Sequence, residues 1–189
     1  MELTTLTELN SKYHITKADT EYLDDQFRCY NCMGFALGSY NWDEIDTCGY
    51  RGYYDDDDEE YWDEPDDNTL LCAVDDVLNY SDYEVCYGKG VNFYPHIRFL
   101  DLYTFSSKEE DFVKMLDDDE YLVAMRLDED DFHFARRMKD GSWWHKPGSW
   151  EIRKMNDNDL YNEANWCDRY YGNIAMFAVR PHRIENEVA

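Results

Sequence analysis

A cysteine at the start of a helix has the clearest chemical potential in this sequence. Residues 26–38 read Q-F-R-C-Y-N-C-M-G-F-A-L-G. Asn31 can cap a short helix from Cys32 to Leu37, and Gly38 suits its end. Cys32 then falls in the first turn, where the helix dipole favours the thiolate, the nucleophilic form. An oxyanion needs donors beside the nucleophile. The backbone N–H of Cys32 is free at a helix start, and Gln26 can bring a side-chain amide towards it. Gly34 and Ala36 are small enough to let a sheet approach the helix closely.

A thiol nucleophile needs a base, and the base needs a group that holds its tautomer. Of the five histidines, His14 and His182 lie near the termini, and His96 follows Pro95 in a structural position. His133 opens the run D-F-H-F-A-R-R, just after the apolar run Y-L-V-A-M-R-L. Met138-Lys139-Asp140-Gly141 signals a hairpin. That turn sets His133 across from about His145 or Lys146, which makes His145 the candidate orienting residue, with Asp157 or Asn158 as alternatives. The chemistry is cysteine hydrolysis: Cys32 attacks a carbonyl, His133 moves the proton, and Gln26 with the Cys32 amide holds the oxyanion. It needs no cofactor and no metal. Cys29-x-x-Cys32 also reads as half of a zinc site, but a second C-x-x-C or a close histidine pair is missing. Plain buried cysteines on a core helix are the third reading.

Gln26, Cys29, Cys32, Met33, Gly34 and Phe35 together resemble the active-site signature of papain-like cysteine peptidases. In that family a glutamine lies six residues before the nucleophile, a second cysteine three before it, and a bulky residue, a small residue and Phe follow. Met33 stands where the family usually has Trp, and Asn31 where it has a small residue. The resemblance implies a nucleophile helix packed on an antiparallel sheet, with His133 at the start of a strand facing the helix. The family's orienting asparagine, shortly before a Ser-Trp pair, has no counterpart before Ser149-Trp150, which leaves His145 to replace it. The stretch from D-F-H-F-A-R-R to W-W-H-K-P-G also resembles a hairpin of uncharacterised bacterial and phage proteins.

The positioning elements follow from pattern. Thr69 can cap a second helix, in which Leu70, Leu71, Val74, Val77 and Leu78 form one apolar face. Ser107 and Glu110 suit a capping box before a third helix, Lys108 to about Leu116, with Phe112 and Met115 inward. Strands are expected over 96–102, 121–127, 132–137, 142–146 and 173–179. Helices followed by an antiparallel sheet read as an α+β fold, papain-like in the packing that the resemblance implies, with the helices on one face. The length of 189 residues suits a single domain over 1–189. Residues 53–67, Y-Y-D-D-D-D-E-E-Y-W-D-E-P-D-D, read as an exposed acidic loop or insertion. They lack the alternating ligands and central glycine of a calcium loop.

Charge bounds the partners. The 43 acidic residues against 18 basic ones leave a formal net charge of −25. Such a chain repels nucleic acid and anionic membranes at long range. Its partners are then basic: a cationic peptide or protein substrate for the hydrolase, or a basic groove for a binding protein. Dense carboxylates can imitate nucleic-acid phosphate, so the alternative function is an acidic inhibitor of a nucleic-acid-binding protein, as in phage defence evasion. The sequence shows neither a transmembrane run nor a signal-type N-terminus, which points to a cytosolic protein whose six cysteines are thiols.

Overall fold

The structure is a computed structural model that describes residues 31–38, 66–79, 92–93, 96–128, 131–148, 150, 152–156, 160–166, 171–180 and 183–184. Among these the fold is α+β. Helix α1 spans Cys32–Leu37 and α2 spans Asp67–Leu78. Strands β1 (Asn92–Phe93) and β2 (His96–Tyr103) precede α3 (Glu109–Val113). Strands β3 (Tyr121–Leu127), β4 (Phe132–Arg137), β5 (Trp143–His145), β6 (Arg153–Lys154), β7 (Tyr171–Arg180) and β8 (Arg183–Ile184) follow. A six-stranded antiparallel sheet runs β2-β7-β3-β4-β5-β6, and β1 pairs with β8. No helix among the described residues is long and apolar enough to cross a membrane.

Each local signal can be traced to its physics. The Asn31 side chain accepts from the Gly34 N–H, and Gly38 closes α1 at φ 78°, a conformation that favours glycine. Helix α2 starts earlier than expected. Its cap is Asp66, whose Oδ1 accepts from both the N–H and the hydroxyl of Thr69. Thr69 is thus a donor to the cap rather than the cap. The last two residues of the acidic run are the cap and first turn of a helix, where carboxylates meet the positive end of the dipole; residues 53–65 lie outside the described residues. Helix α3 is shorter than expected. Ser107 Oγ accepts from the Thr104 N–H instead of capping, Lys108 at the cap position makes no side-chain cap bond, and Met115 is exposed.

The sheet is covered on both faces. Strand β3 is buried along its whole length, so each face needs a layer. On one face α1 and α2 pack through Met33, Ala36, Leu37, Leu70, Val74 and Val77 onto Val123, Met125, Phe134 and Phe177. On the other, Phe112 of α3 and Trp166 of a 3-10 turn (Glu163–Trp166) pack onto Leu122, Ala124, Ala135, Trp143 and Met176. The helices therefore do not all share one face: α3 sits opposite the first two. The hairpin between β4 and β5 turns where the sequence placed it. Met138 N–H bonds Ser142 O, Gly141 N–H bonds Met138 O, and Gly141 takes φ 85°.

Candidate functional site

Cys32 sits in the first turn of α1, against the sheet, and is buried. Its Sγ lies 3.8 Å from the carbonyl oxygen of Phe132, over the backbone of β4. Burial pushes the thiol up to about 12. The Asp131 carboxylate raises it further, against the Phe134 N–H, the Met33 N–H and the Lys146 charge, which all lower it. The helix start alone does not offset the loss of water around the sulfur. At neutral pH Cys32 is a thiol, not a thiolate.

His133 and His145 meet directly. His133 Nε2 lies 2.9 Å from His145 Nδ1, with the rings near perpendicular at 84°. Strand register explains the contact. Ala135 pairs with His145, so His133 and His145 are diagonal neighbours on one face. One of the two nitrogens donates and the other accepts, which links the two tautomers. Both rings are buried, and Trp166 packs edge-on to His133 with centroids 5.9 Å apart. Burial, and secondarily the facing His145, pulls His133 down to about 3. Burial, and secondarily Arg153, pulls His145 down to about 4. The pair is neutral at neutral pH.

The structure does not bring Cys32 and His133 together. Side chains alternate along a strand. Phe132 and Phe134 turn towards α1 and pack with Cys32. His133, between them, turns to the opposite face, where Trp166 lies. The sulfur therefore rests on one side of β4 and the imidazole projects from the other. The signal was in the sequence: in D-F-H-F-A-R-R the two phenylalanines flanking His133 claim the helix-facing side. Gln26 and Cys29 lie outside the described residues, as do Asp157, Asn158, His14 and His182. His96 opens the edge strand β2 and is exposed.

Charged groups not singled out from sequence lie close to both sites. Lys146, one residue beyond β5, is fully buried, and its Nζ donates to Gly148 O at 2.5 Å. Arg126 pairs in register with His133 and is buried beside it; one of its Nη groups donates to Gly172 O. Its guanidinium also lies over the Tyr161 ring at 5.4 Å. Arg136, on the Cys32 side, lies 3.8 Å from the Tyr121 ring centroid. A cation inside a run of apolar residues has no periodicity of its own, so only Y-L-V-A-M-R-L as a whole hinted at a buried arginine. Among the described residues no group of three or more His, Cys, Asp or Glu side chains is arranged to hold a metal ion.

The chain matches no protein-family model, no curated protein and no solved structure.

Proposed function

We propose that this protein acts by binding a basic macromolecular partner through its carboxylate-covered surface, as a nucleic-acid mimic does. The observation that carries this reading is an excess of exposed carboxylates on a chain of net charge −25. Among the described residues three cations, Arg126, Arg136 and Lys146, are buried, while Lys108, Lys114, Lys139, Arg153 and Lys154 stay exposed. Arg98, Arg137 and Arg180 are held by Glu120, Glu109 and the pair Asp117–Asp119. Carboxylates stay outside, at Asp66, Asp67, Asp75, Asp101, Glu110 and Asp117 to Asp119. Among the described residues the exposed carboxylates outnumber the exposed cations, so the face presented to a partner is net anionic. Such a surface steers towards a cationic groove and away from other acidic chains. The partner class that fits is a nucleic-acid-binding protein, met in the cytosol.

A papain-like hydrolase is the second reading. It is favoured by α1 itself, which begins at Cys32 under an Asn31 cap and lies on an antiparallel sheet, as the resemblance to that superfamily expects. It is disfavoured by the sheet between Cys32 and His133 and by the raised pKa of the thiol. The binding reading ranks first for that reason.

One set of measurements separates them. The protein is titrated into a complex of duplex DNA with a lysine- and arginine-rich DNA-binding protein. Displacement of the DNA is expected, weakening about tenfold or more between 50 and 200 mM salt, and unchanged in Cys32→Ala. Iodoacetamide near neutral pH is expected to label exposed Cys72 well before buried Cys32. Absence of salt-dependent displacement, together with preferential labelling of Cys32, sinks the binding reading and restores the hydrolase.

A further inference from the structure

The six-stranded sheet ends on a long strand. Strand β2, His96–Tyr103, pairs with β7 on one side and with no strand on the other among the described residues. Its apolar side chains, Ile97, Phe99, Leu100 and Leu102, are only partly buried, whereas Ile174 to Val179 on neighbouring β7 are fully enclosed. The far edge at β6 is only two residues long. An open edge presents a row of backbone N–H and C=O groups that another extended segment can satisfy. Eight residues of strand offer roughly 26 Å of such edge.

Charge selects the occupant. Asp101 is exposed within the strand, just after a register shift that follows Phe99, and one of its carboxylate oxygens accepts from the Leu102 N–H, which leaves the other free. At the start of β2, His96 lies opposite Arg180, around which Asp117 and Asp119 gather, with exposed Asp118 between them. Arg98 binds Glu120 and the Met115 carbonyl, which fastens the loop after α3 alongside the strand. At the other end, Tyr103 packs on Phe112 of α3. The cations nearby among the described residues are Lys108, Lys114, Arg98 and Arg180, and the last three are tied to Asp111, to Glu120, and to Asp117 and Asp119. A second copy of this chain, itself at −25, is repelled from such an edge. An extended segment with lysine or arginine at alternate positions meets no such barrier.

We infer that the outer edge of β2, from Ile97 to Leu102, takes an extended cationic segment of the partner as an added strand. Backbone hydrogen bonds supply the affinity, and Asp101 with Asp117 to Asp119 supplies the choice of sequence. This inference rests on the binding reading above and specifies its contact.

The test uses the full chain and an eight-residue peptide of alternating lysine and valine, acetylated and amidated. Two further peptides carry N-methyl groups at one or the other alternate set of positions. An added strand turns only one set of its N–H groups towards the edge. Amide exchange within residues 97–102 is expected to slow on binding of the unmethylated peptide. One methylated peptide is expected to bind at least about tenfold more weakly than the other. Equal binding by both means attraction by charge alone and overturns the inference. Exchange already slow at every amide of 97–102 in the free protein also overturns it, since the edge is then occupied by the chain itself. In either case DNA displacement by the intact protein still stands or falls separately, so the two readings fail independently.

Discussion

His133 and His145 show what burial does to a group that sequence alone presents as a base. Two imidazoles 2.9 Å apart, packed against Trp166 and with Arg126 in register beside His133, are both neutral: one ring N–H lies between them and the accepting ring keeps its own on its other nitrogen. Their folded-state values, about 3 and about 4, lie below the ordinary 6.5. In the unfolded chain both bind protons as pH falls through 6.5, while in the folded chain they do not until much lower. Stability from this pair is therefore complete above about pH 6.5 and is lost as pH falls from there towards 4 and then 3. Each ring contributes a slope approaching 1.4 kcal/mol per pH unit in that window. Urea denaturation of the wild type and of the double variant His133→Gln, His145→Gln, at pH 7.5, 6 and 5, checks this. The stability difference between the two proteins is expected to shrink with acid; a difference constant across the series shows that the histidines do not titrate differently on folding. The same residue scale exposes the limit of reading the sequence. The meeting of His133 with His145 was legible, because a hairpin turn fixes cross-strand neighbours. The separation of His133 from Cys32 required asking which face each residue of F-H-F occupies.

Elements were most legible where their signals were local. Asn31 and Gly38 bracket α1, and Met138 to Gly141 turn the hairpin, because each signal acts through bonds within a few residues. Boundaries slipped where two local partners compete for one group. Asp66 and Thr69 can each cap a helix, and the structure makes one the acceptor and the other its donor. Ser107 can cap α3 or close a turn at Thr104, and it closes the turn. The tie that secures α3 was not legible at all, because it is long-range. Glu109 accepts from Arg137 Nε at 2.6 Å through one oxygen and from Trp143 Nε1 at 2.7 Å through the other. Helix α3 has five residues and no side-chain cap, too little to hold itself. Glu109 joins it to both strands of the hairpin. Glu109→Ala leaves the fully buried Trp143 without its acceptor and Arg137 without its counter-charge. A loss of about 2–4 kcal/mol is expected in chemical denaturation. Glu109→Gln keeps one acceptor and is expected to lose less. Equal, small losses in both variants contradict the role of this tie.

At the scale of the molecule, charge and fold oppose one another. A net charge of −25 on 189 residues repels itself in the compact state, while the ion pairs around Glu120 and Arg180 attract. The carboxyl of Glu120 is held below its ordinary value, first by its hydrogen bond to Arg98. The exposed pairs are worth little each, about 0–1 kcal/mol. Repulsion among unpaired carboxylates acts over the whole surface and is screened once the Debye length shrinks from about 30 Å at 0.01 M salt to about 10 Å at 0.1 M. Repulsion therefore governs the balance, and sodium chloride is expected to stabilise the fold. The midpoint of thermal unfolding should rise between 0.01 and 0.2 M, by about 2–4 °C for each kcal/mol recovered in a chain of this size. The same salt weakens capture of a basic partner, since there the carboxylates attract. Opposite salt dependences of folding and of binding are the signature of a surface shaped for a cationic ligand rather than for its own stability. A midpoint that falls with salt shows instead that intramolecular ion pairs dominate, and that the exposed carboxylates are already matched within the chain.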